Sequence, residues 1–313
     1  MRLSAAIQEY IEYKRSLGML YRDSEGRLKA LLRQIGDVEL PAITAQQVRE
    51  YLNGTSGQVT RLWFTKHSAL LGFFRYAVSR RYMEHSLVPT TLPKKPPRLT
   101  PYLYSVDEMR RLLRAADLIH PPAWLMEPHT VRTLLLLLYG TGLRIGEAIR
   151  LKLRDVDLVE NILTIRETKF FKSRLVPIGT DLADVLRRYY EQQWHGRDHT
   201  SDSPFLCTHK RTQLTRQRVR CAFNRLRTEA GVLRSDGGRY QPRLHDFRHT
   251  FAVTRLVTWY REGKNVQRLL PHLSTYLGHA HIADTSTYLT MTKELLQEAS
   301  QCFERYALSG GAK

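Results

Sequence analysis

A run of prolines interrupts an otherwise helix-forming chain and constrains its fold more than any other feature. From Pro89 to Pro101 the sequence carries Pro89, Pro93, Pro96, Pro97 and Pro101, interleaved with Lys94, Lys95 and Arg98. Proline lacks the amide hydrogen a helix needs and favours extended chain, so no helix runs through this stretch. It predicts two folding units joined by a basic linker. The expected organisation is a helical unit over residues 1–92, a linker over 93–104, a second domain over 105–290 and a C-terminal helix and tail over 291–313. At 313 residues the chain is long enough for two cores.

Residues 1 to about 90 read as all-helical. Ile7, Tyr10, Ile11 and Leu17 recur at helical spacing, as do Leu28, Leu31, Leu32 and Ile35. Thr44 is an N-cap candidate, and Asn53-Gly54 stops the helix it opens. A longer helix is expected from about Gln58 to Tyr82, with Arg61, Lys66, Arg75, Arg80 and Arg81 on its polar side. Past the linker, Ser105 with Glu108 forms a capping-box pattern. The segments 156–159, 162–165 and 174–178 alternate like strands and predict a three-stranded antiparallel sheet with Lys169 in the turn before the last strand. The expected fold class is mainly α, with a small antiparallel sheet inside an α+β second domain.

Charge narrows the partner. Lys and Arg number 49 against 30 acids, a net charge of +19. Such an excess points to a polyanion, either nucleic acid or an anionic membrane surface. Between Cys207 and Arg248 the local excess is eight positive charges, which makes that segment the strongest candidate for a DNA-facing surface. No apolar run approaches the roughly 18 residues needed to span a bilayer, and Met1-Arg2-Leu3-Ser4 leads into an amphipathic pattern with no signal-peptide core. The expectation is a DNA-binding protein of the cytoplasm, associated with the nucleoid and without membrane attachment. Cys207, Cys221 and Cys302 show neither CxxC spacing nor a disulfide framework, in keeping with a reducing compartment.

Chemistry-bearing residues follow in order. Arg144 lies in Gly140-Thr141-Gly142-Leu143-Arg144-Ile145-Gly146-Glu147, where an apolar helix is expected to end at the glycines and Arg144 to open the next. Lys169 lies in Thr168-Lys169-Phe170-Phe171-Lys172. His245 and Arg248 stand three apart and share a helix face. His279 closes Leu277-Gly278-His279, and Tyr288 follows nine residues later, after a polar turn over Ala283–Thr287. Tyr276 reads as a core residue. Taken singly, each has a bland reading as a solvated cation or a satisfied core histidine. The His195/His199 and His279/His281 pairs lack a carboxylate or cysteine partner at convincing spacing, so no metal is expected. Taken together, guanidiniums, an ammonium, imidazoles and a phenol can hold a phosphodiester, stabilise its charged transition state and attack phosphorus.

In order and spacing, Arg144, Lys169, His245-x-x-Arg248, Leu277-Gly278-His279 and Tyr288 resemble the tyrosine recombinase, or phage-type integrase, family. Gly142-Leu143-Arg144-Ile145-Gly146-Glu147, Lys172-Ser173-Arg174-Leu175-Val176-Pro177 and His245-Asp246-Phe247-Arg248-His249-Thr250-Phe251-Ala252 add to the match. The resemblance covers the second domain, and the first looks like the family's core-binding domain. It implies that Arg144 and Arg248 clamp the scissile phosphate and Lys169 protonates the leaving 5′ oxygen. His245 would transfer or orient a proton, His279 would donate a hydrogen bond to a nonbridging oxygen, and Tyr288 would attack to form a 3′-phosphotyrosine. Glu147 would be a structural partner. It further implies a homo-tetramer on two double-stranded sites, a Holliday junction, no metal, ATP or other cofactor, and accessory DNA-bending or directionality proteins. Phe170-Phe171 and Leu289-Thr290 depart from the family pattern, and the first of these leaves Lys172 as the fallback acid. A C-terminal helix carrying Leu295, Leu296, Ala299, Phe303 and Tyr306 would dock on a neighbouring subunit. A type IB topoisomerase, a non-catalytic DNA-binding regulator and a basic structural or membrane-surface protein are the competing classes: the separate helical domain and C-terminal helix argue against the first, the second has no reason to keep all six groups, and the third explains only the charge.

Overall fold

The structure is a computed structural model that describes residues 1–55, 57–96, 101–118, 126–166, 173–238, 240–279, 281–290 and 295–301, without the side chain of Thr290. The described residues fall into two compact units, the first within Met1–Arg98 and the second holding the others. Lys169, Lys172, Phe170 and Phe171 lie outside the described residues.

The first unit is built from α1 (Leu3–Ser16), α2 (Arg22–Ile35), α3 (Ala45–Asn53) and α4 (Arg61–Ser79). Its core gathers Leu3, Ile7, Tyr10 and Ile11 from α1, Leu28 and Leu31 from α2, and Leu70, Phe73 and Phe74 from α4. Thr44 caps α3 through a complete capping box with Gln47, so two otherwise unpaired donors are met locally. Two expectations shift. Leu17 sits past the end of α1 and is exposed, because Gly18 turns the chain with φ +77°. The long helix is also shorter than the apolar pattern suggests: Arg81 adopts φ +61° and ends it.

The second unit opens on Tyr104, buried against Phe247 with ring centroids 4.3 Å apart, so the last linker residues pack as core. Helix α5 (Val106–Asp117) starts at the Ser105–Glu108 capping box. Helix α6 (Pro128–Thr141) is apolar nearly all round and central to the core, which fits its Leu-rich sequence. A one-turn helix α7 (Ile145–Ala148) follows. The sheet is antiparallel with order β1 (Val156–Asp157), β2 (Ile162–Ile165), β3 (Arg174–Pro177), in register Val156↔Leu163 and Ile162↔Pro177. Strand β1 stops short of residue 159 because the Asp157 carboxylate accepts the Val159 and Glu160 amides, and Asn161 turns with φ +56°. Helices α8 (Thr180–Trp194), α9 (Arg216–Glu229), α10 (Asp246–Arg261), α11 (Val266–Leu277) and α12 (Ile282–Ser286) complete the unit, with a 3₁₀ turn over Thr287–Thr290. Among the described residues no helix is long and apolar enough to cross a membrane.

The stretch before Tyr288 is helical and not the loose polar turn its composition suggests. The Ser286 hydroxyl bonds the Ile282 carbonyl and the Thr287 hydroxyl the Asp284 carbonyl, so the side chains close the turn themselves. Residues 295–301 are helical too. Leu295 is buried in this chain's own cluster with Leu256, Leu273 and Leu277, and Glu298 pairs with Arg261 at 2.8 Å. Two of this helix's side chains therefore bind their own subunit, whereas Leu296 is half exposed. Phe303 and Tyr306 lie outside the described residues.

Candidate active site

Two left-handed glycines shape the place where α6, α10 and α11 end or begin. Gly142 closes α6 with φ +63°; a Cβ there would lie 2.7 Å from Phe251 Cδ1. Gly278 closes α11 with φ +70°, and a Cβ there would lie 2.7 Å from Arg174 Nη1. Only glycine takes this backbone conformation at no steric cost, and only glycine leaves these neighbours in place. Each glycine also turns a carbonyl toward a guanidinium.

Arg248, on the first turn of α10, is almost wholly buried at 2% exposure. Its Nη1 donates to the Gly142 carbonyl at 3.0 Å and its Nη2 to the Leu277 carbonyl at 2.6 Å. Burial, reinforced by the Arg144 charge, lowers its pKa to about 10. Arg144 caps α7 and is far more open. Its Nη2 donates to the Gly278 carbonyl at 2.9 Å and its Nη1 to Glu147 Oε1 at 2.9 Å. Both arginines thus lean on carbonyls of the same α11 terminus, one buried and one facing solvent. Each guanidinium has further N–H groups beyond those bonds.

Glu147 is the buried counter-charge. It receives Arg144 and also Arg174, whose Nη2 lies 2.8 Å from Oε2 and whose Nε donates to the Tyr276 carbonyl at 2.8 Å. Burial would raise the carboxyl, but Arg174 and then Arg144 outweigh it and hold its pKa at about 2.

His279 follows Gly278, and its Nδ1 makes a 2.6 Å hydrogen bond with the buried Thr285 hydroxyl. That bond fixes the ring and leaves Nε2 as the other face of the imidazole. Tyr288 stacks on the ring, centroids 6.1 Å apart and planes 22° apart, and is itself only 3% exposed. Burial raises the Tyr288 phenol, with Arg248 and Arg144 pulling it back down. His245, at the start of α10, faces solvent; desolvation by the groups beneath it and the Arg248 charge lower its pKa. Burial and then the two arginines depress His279 to about 4.

Of the sequence-derived set, Arg144, Arg248, His279 and Tyr288 come together around the α11 terminus, with His245 one helical turn from His249. Tyr276 packs as expected, stacked on Phe251 with its hydroxyl on the Pro177 carbonyl at 3.2 Å. Three neighbours were not singled out from the sequence. His249 lies between His245 (4.8 Å between rings) and Tyr288 (5.6 Å) with a buried Nδ1 that has no hydrogen-bond partner. Thr285 anchors His279, and Arg174 anchors Glu147. An i,i+4 spacing from His245 marks His249; no local pattern marks Arg174, whose partners are 27 and 102 residues away. Among the described residues no group of three His, Cys, Asp or Glu side chains is placed to hold a metal ion.

Comparison with known proteins gives the family. Residues 104–294 match the model of the phage integrase family. The chain belongs to that family, the tyrosine recombinases. As a member it is a DNA breaking-rejoining enzyme. A Sinorhizobium fredii protein, y4rB, named as an integrase/recombinase, is 39% identical over 96% of this chain and 96% of its own. Tyrosine recombinase XerD of Ralstonia nicotianae is 30% identical over 91% of this chain and 84% of its own. Among solved structures, the Tn1549 transposon integrase in complex with transposon right end DNA shares the fold at a TM-score of 0.69 and 16% identity, over 98% of this chain and all of that one. The lambda integrase tetramer bound to a Holliday junction does so at 0.66 and 20%, over 92% of this chain and 77% of that one. The family match and the fold agree with the sequence-derived expectation of a mainly helical recombinase with a small antiparallel sheet.

Proposed function

We propose that this recombinase is site-specific, cutting and rejoining DNA strands through a 3′-phosphotyrosine on Tyr288 without metal or ATP. The observation that carries the reading is the convergence of Arg144, Arg248, His279 and Tyr288 on the end of α11. Two fixed cations with differing access suit a phosphodiester whose charge grows at the transition state, since donors placed in advance need no reorganisation. Arg144 presents its open guanidinium to one nonbridging oxygen, Arg248 supports the phosphate from beneath, and His279, neutral at physiological pH, donates from Nε2. His245 moves or orients the nucleophile's proton. Lys169 is assigned the role of general acid for the leaving 5′ oxygen. The phenol attacks phosphorus, the P–O bond to the 5′ oxygen breaks, and that oxygen takes a proton. Reversal by the 5′ hydroxyl of a second strand rejoins DNA with no external energy.

Residues 1–92 serve in this reading as a DNA-binding domain beside the catalytic domain at 105–290, joined by the basic segment 93–104. The assembly is a homo-tetramer on two duplex sites passing through a Holliday junction, with accessory DNA-bending or directionality proteins. The lambda integrase tetramer on such a junction lends support by likeness of fold. The protein would act at the nucleoid, in the cytoplasm.

The test is covalent trapping on nicked suicide duplexes drawn from the DNA flanking its gene. Wild type is expected to give a denaturation-resistant protein–DNA band that Tyr288→Phe lacks while still binding the duplex. A band that persists in Tyr288→Phe would overturn the assignment of the nucleophile.

A further inference from the structure

Glu147 presents an electrostatic problem that Arg144 alone does not solve. Its carboxylate is buried, with 4% of the side chain exposed, and lies 2.9 Å from Arg144 Nη1. Were these two groups the whole arrangement, they would neutralise each other, and Arg144 would offer a phosphate little net charge. A second guanidinium changes the balance. Arg174 meets the same carboxylate with Nη2 at 2.8 Å from Oε2 and Nη1 at 3.3 Å from Oε1, the two-pronged geometry in which Arg–carboxylate pairs are strongest. Two cations and one anion leave one positive charge over, and it resides on the exposed partner. The Arg144 side chain is 40% exposed and the Arg174 side chain 10%.

Resting on the reading of Arg144 as a phosphate ligand, we propose that Arg174 is a positioning residue: it takes up the charge of Glu147 so that Arg144 can present a full positive charge to the scissile phosphate. Arg174 acts through Arg144 and is not the phosphate ligand itself, because all three of its guanidinium nitrogens are engaged by Glu147 and the Tyr276 carbonyl. Its own placement is over-determined. The Nε bond to the Tyr276 carbonyl ties β3 to the end of α11, and the guanidinium lies where a side chain at position 278 would otherwise go. The strand, the Gly278–His279 pair and the α7 cap are therefore joined through one side chain. The low pKa of Glu147, in which Arg174 opposes burial more than Arg144 does, agrees with Arg174 as its main counter-charge.

The test compares full-length Arg174→Gln, Glu147→Gln and the double variant with wild type in two assays. One is the rate of covalent trapping on a suicide duplex that traps wild type. The other is the salt dependence of affinity for a generic duplex. Arg174→Gln is expected to trap about tenfold to a hundredfold more slowly, a part of what losing a whole transition-state donor costs. Its salt slope should fall by about 0.9, the equivalent of one phosphate contact. Adding Glu147→Gln removes the anion that captured Arg144, so the double variant should recover most of both losses. A merely structural Arg174 predicts the reverse, since the second substitution adds damage to the first. Arg174→Lys keeps the charge without the fork and should trap faster than Arg174→Gln; equal slowing would overturn the proposal. So would a double variant that is no faster than Arg174→Gln and has an equally reduced slope. Absence of trapping by wild type on every duplex would count against the phosphotyrosine reading instead, and the salt slopes would still decide this one.

Discussion

Replacing Gly278 with alanine probes the junction on which the site is built, and a second glycine supplies the control. Gly278 and Gly263 have nearly the same φ, +70° and +67°. A Cβ at Gly263 meets nothing within 4 Å, whereas one at Gly278 would lie 2.7 Å from Arg174 Nη1 and 2.8 Å from Cζ. Gly263→Ala should therefore cost only the left-handed strain of an L-residue, about 1 kcal/mol. Gly278→Ala bears that cost and also displaces a guanidinium that cannot simply swing away, because Glu147 and the Tyr276 carbonyl hold it. Breaking a buried ion pair outright costs about 3–5 kcal/mol. Arg144 still holds Glu147 here, so a total of about 2–4 kcal/mol is expected for Gly278→Ala after that partial compensation. Native-state hydrogen exchange of the α10 and α11 amides reads the second unit alone. The expected result is a drop in protection at least twice as large for Gly278→Ala, with covalent trapping lost only there. Equal losses in the two variants would refute the claim that Arg174 occupies the space beside Gly278.

Acid should destabilise the second unit in stages. The folded-state pKa of Glu147 is depressed from 4.5 to about 2, so its stabilisation is full above pH 4.5 and lost as pH falls toward 2; the shift is worth about 3 kcal/mol. His249 and His279 are depressed from 6.5 to about 4, burial first, and their contribution disappears between those values. Urea midpoints measured against pH should show both windows, and Glu147→Gln should flatten the lower one alone. Arg144→Ala should slow trapping by about a hundredfold or more while affinity for the same duplex falls far less; equal losses would reduce Arg144 to a simple binding contact. Affinity for duplex DNA should drop steeply with salt, by about 0.9 in log–log slope per phosphate contacted, and a flat response would contradict a DNA-binding role for the +19 charge.

Much of the fold was legible because its signals are local. The Thr44–Gln47 and Ser105–Glu108 caps each lie within four residues, and the three strands alternate visibly around Glu160-Asn161. Elements depart from the sequence pattern where one backbone conformation or side-chain bond decides the outcome: Gly18 exposes Leu17, Arg81 ends α4 early, and hydroxyl back-bonds support the helix over residues 282–286. The arginines, histidines and tyrosine proposed for the site stand out in the sequence because the chemistry restricts residue type and order. The residues that hold them could not. Thr285 is one threonine among many until it is found beneath His279, and Arg174 joins Glu147 to Tyr276 only in three dimensions. Leu295 illustrates the same limit, since an amphipathic helix does not declare whether its apolar face meets its own subunit or another. Here Leu295 meets its own.

The most direct test of the account is to digest the trapped protein–DNA complex and identify the nucleotide-linked residue by mass spectrometry. The account predicts a single modified peptide with Tyr288 joined to a 3′ phosphate and a free 5′ hydroxyl on the released strand. Attachment to Tyr276 or any other residue, or linkage through a 5′ phosphate, would contradict it.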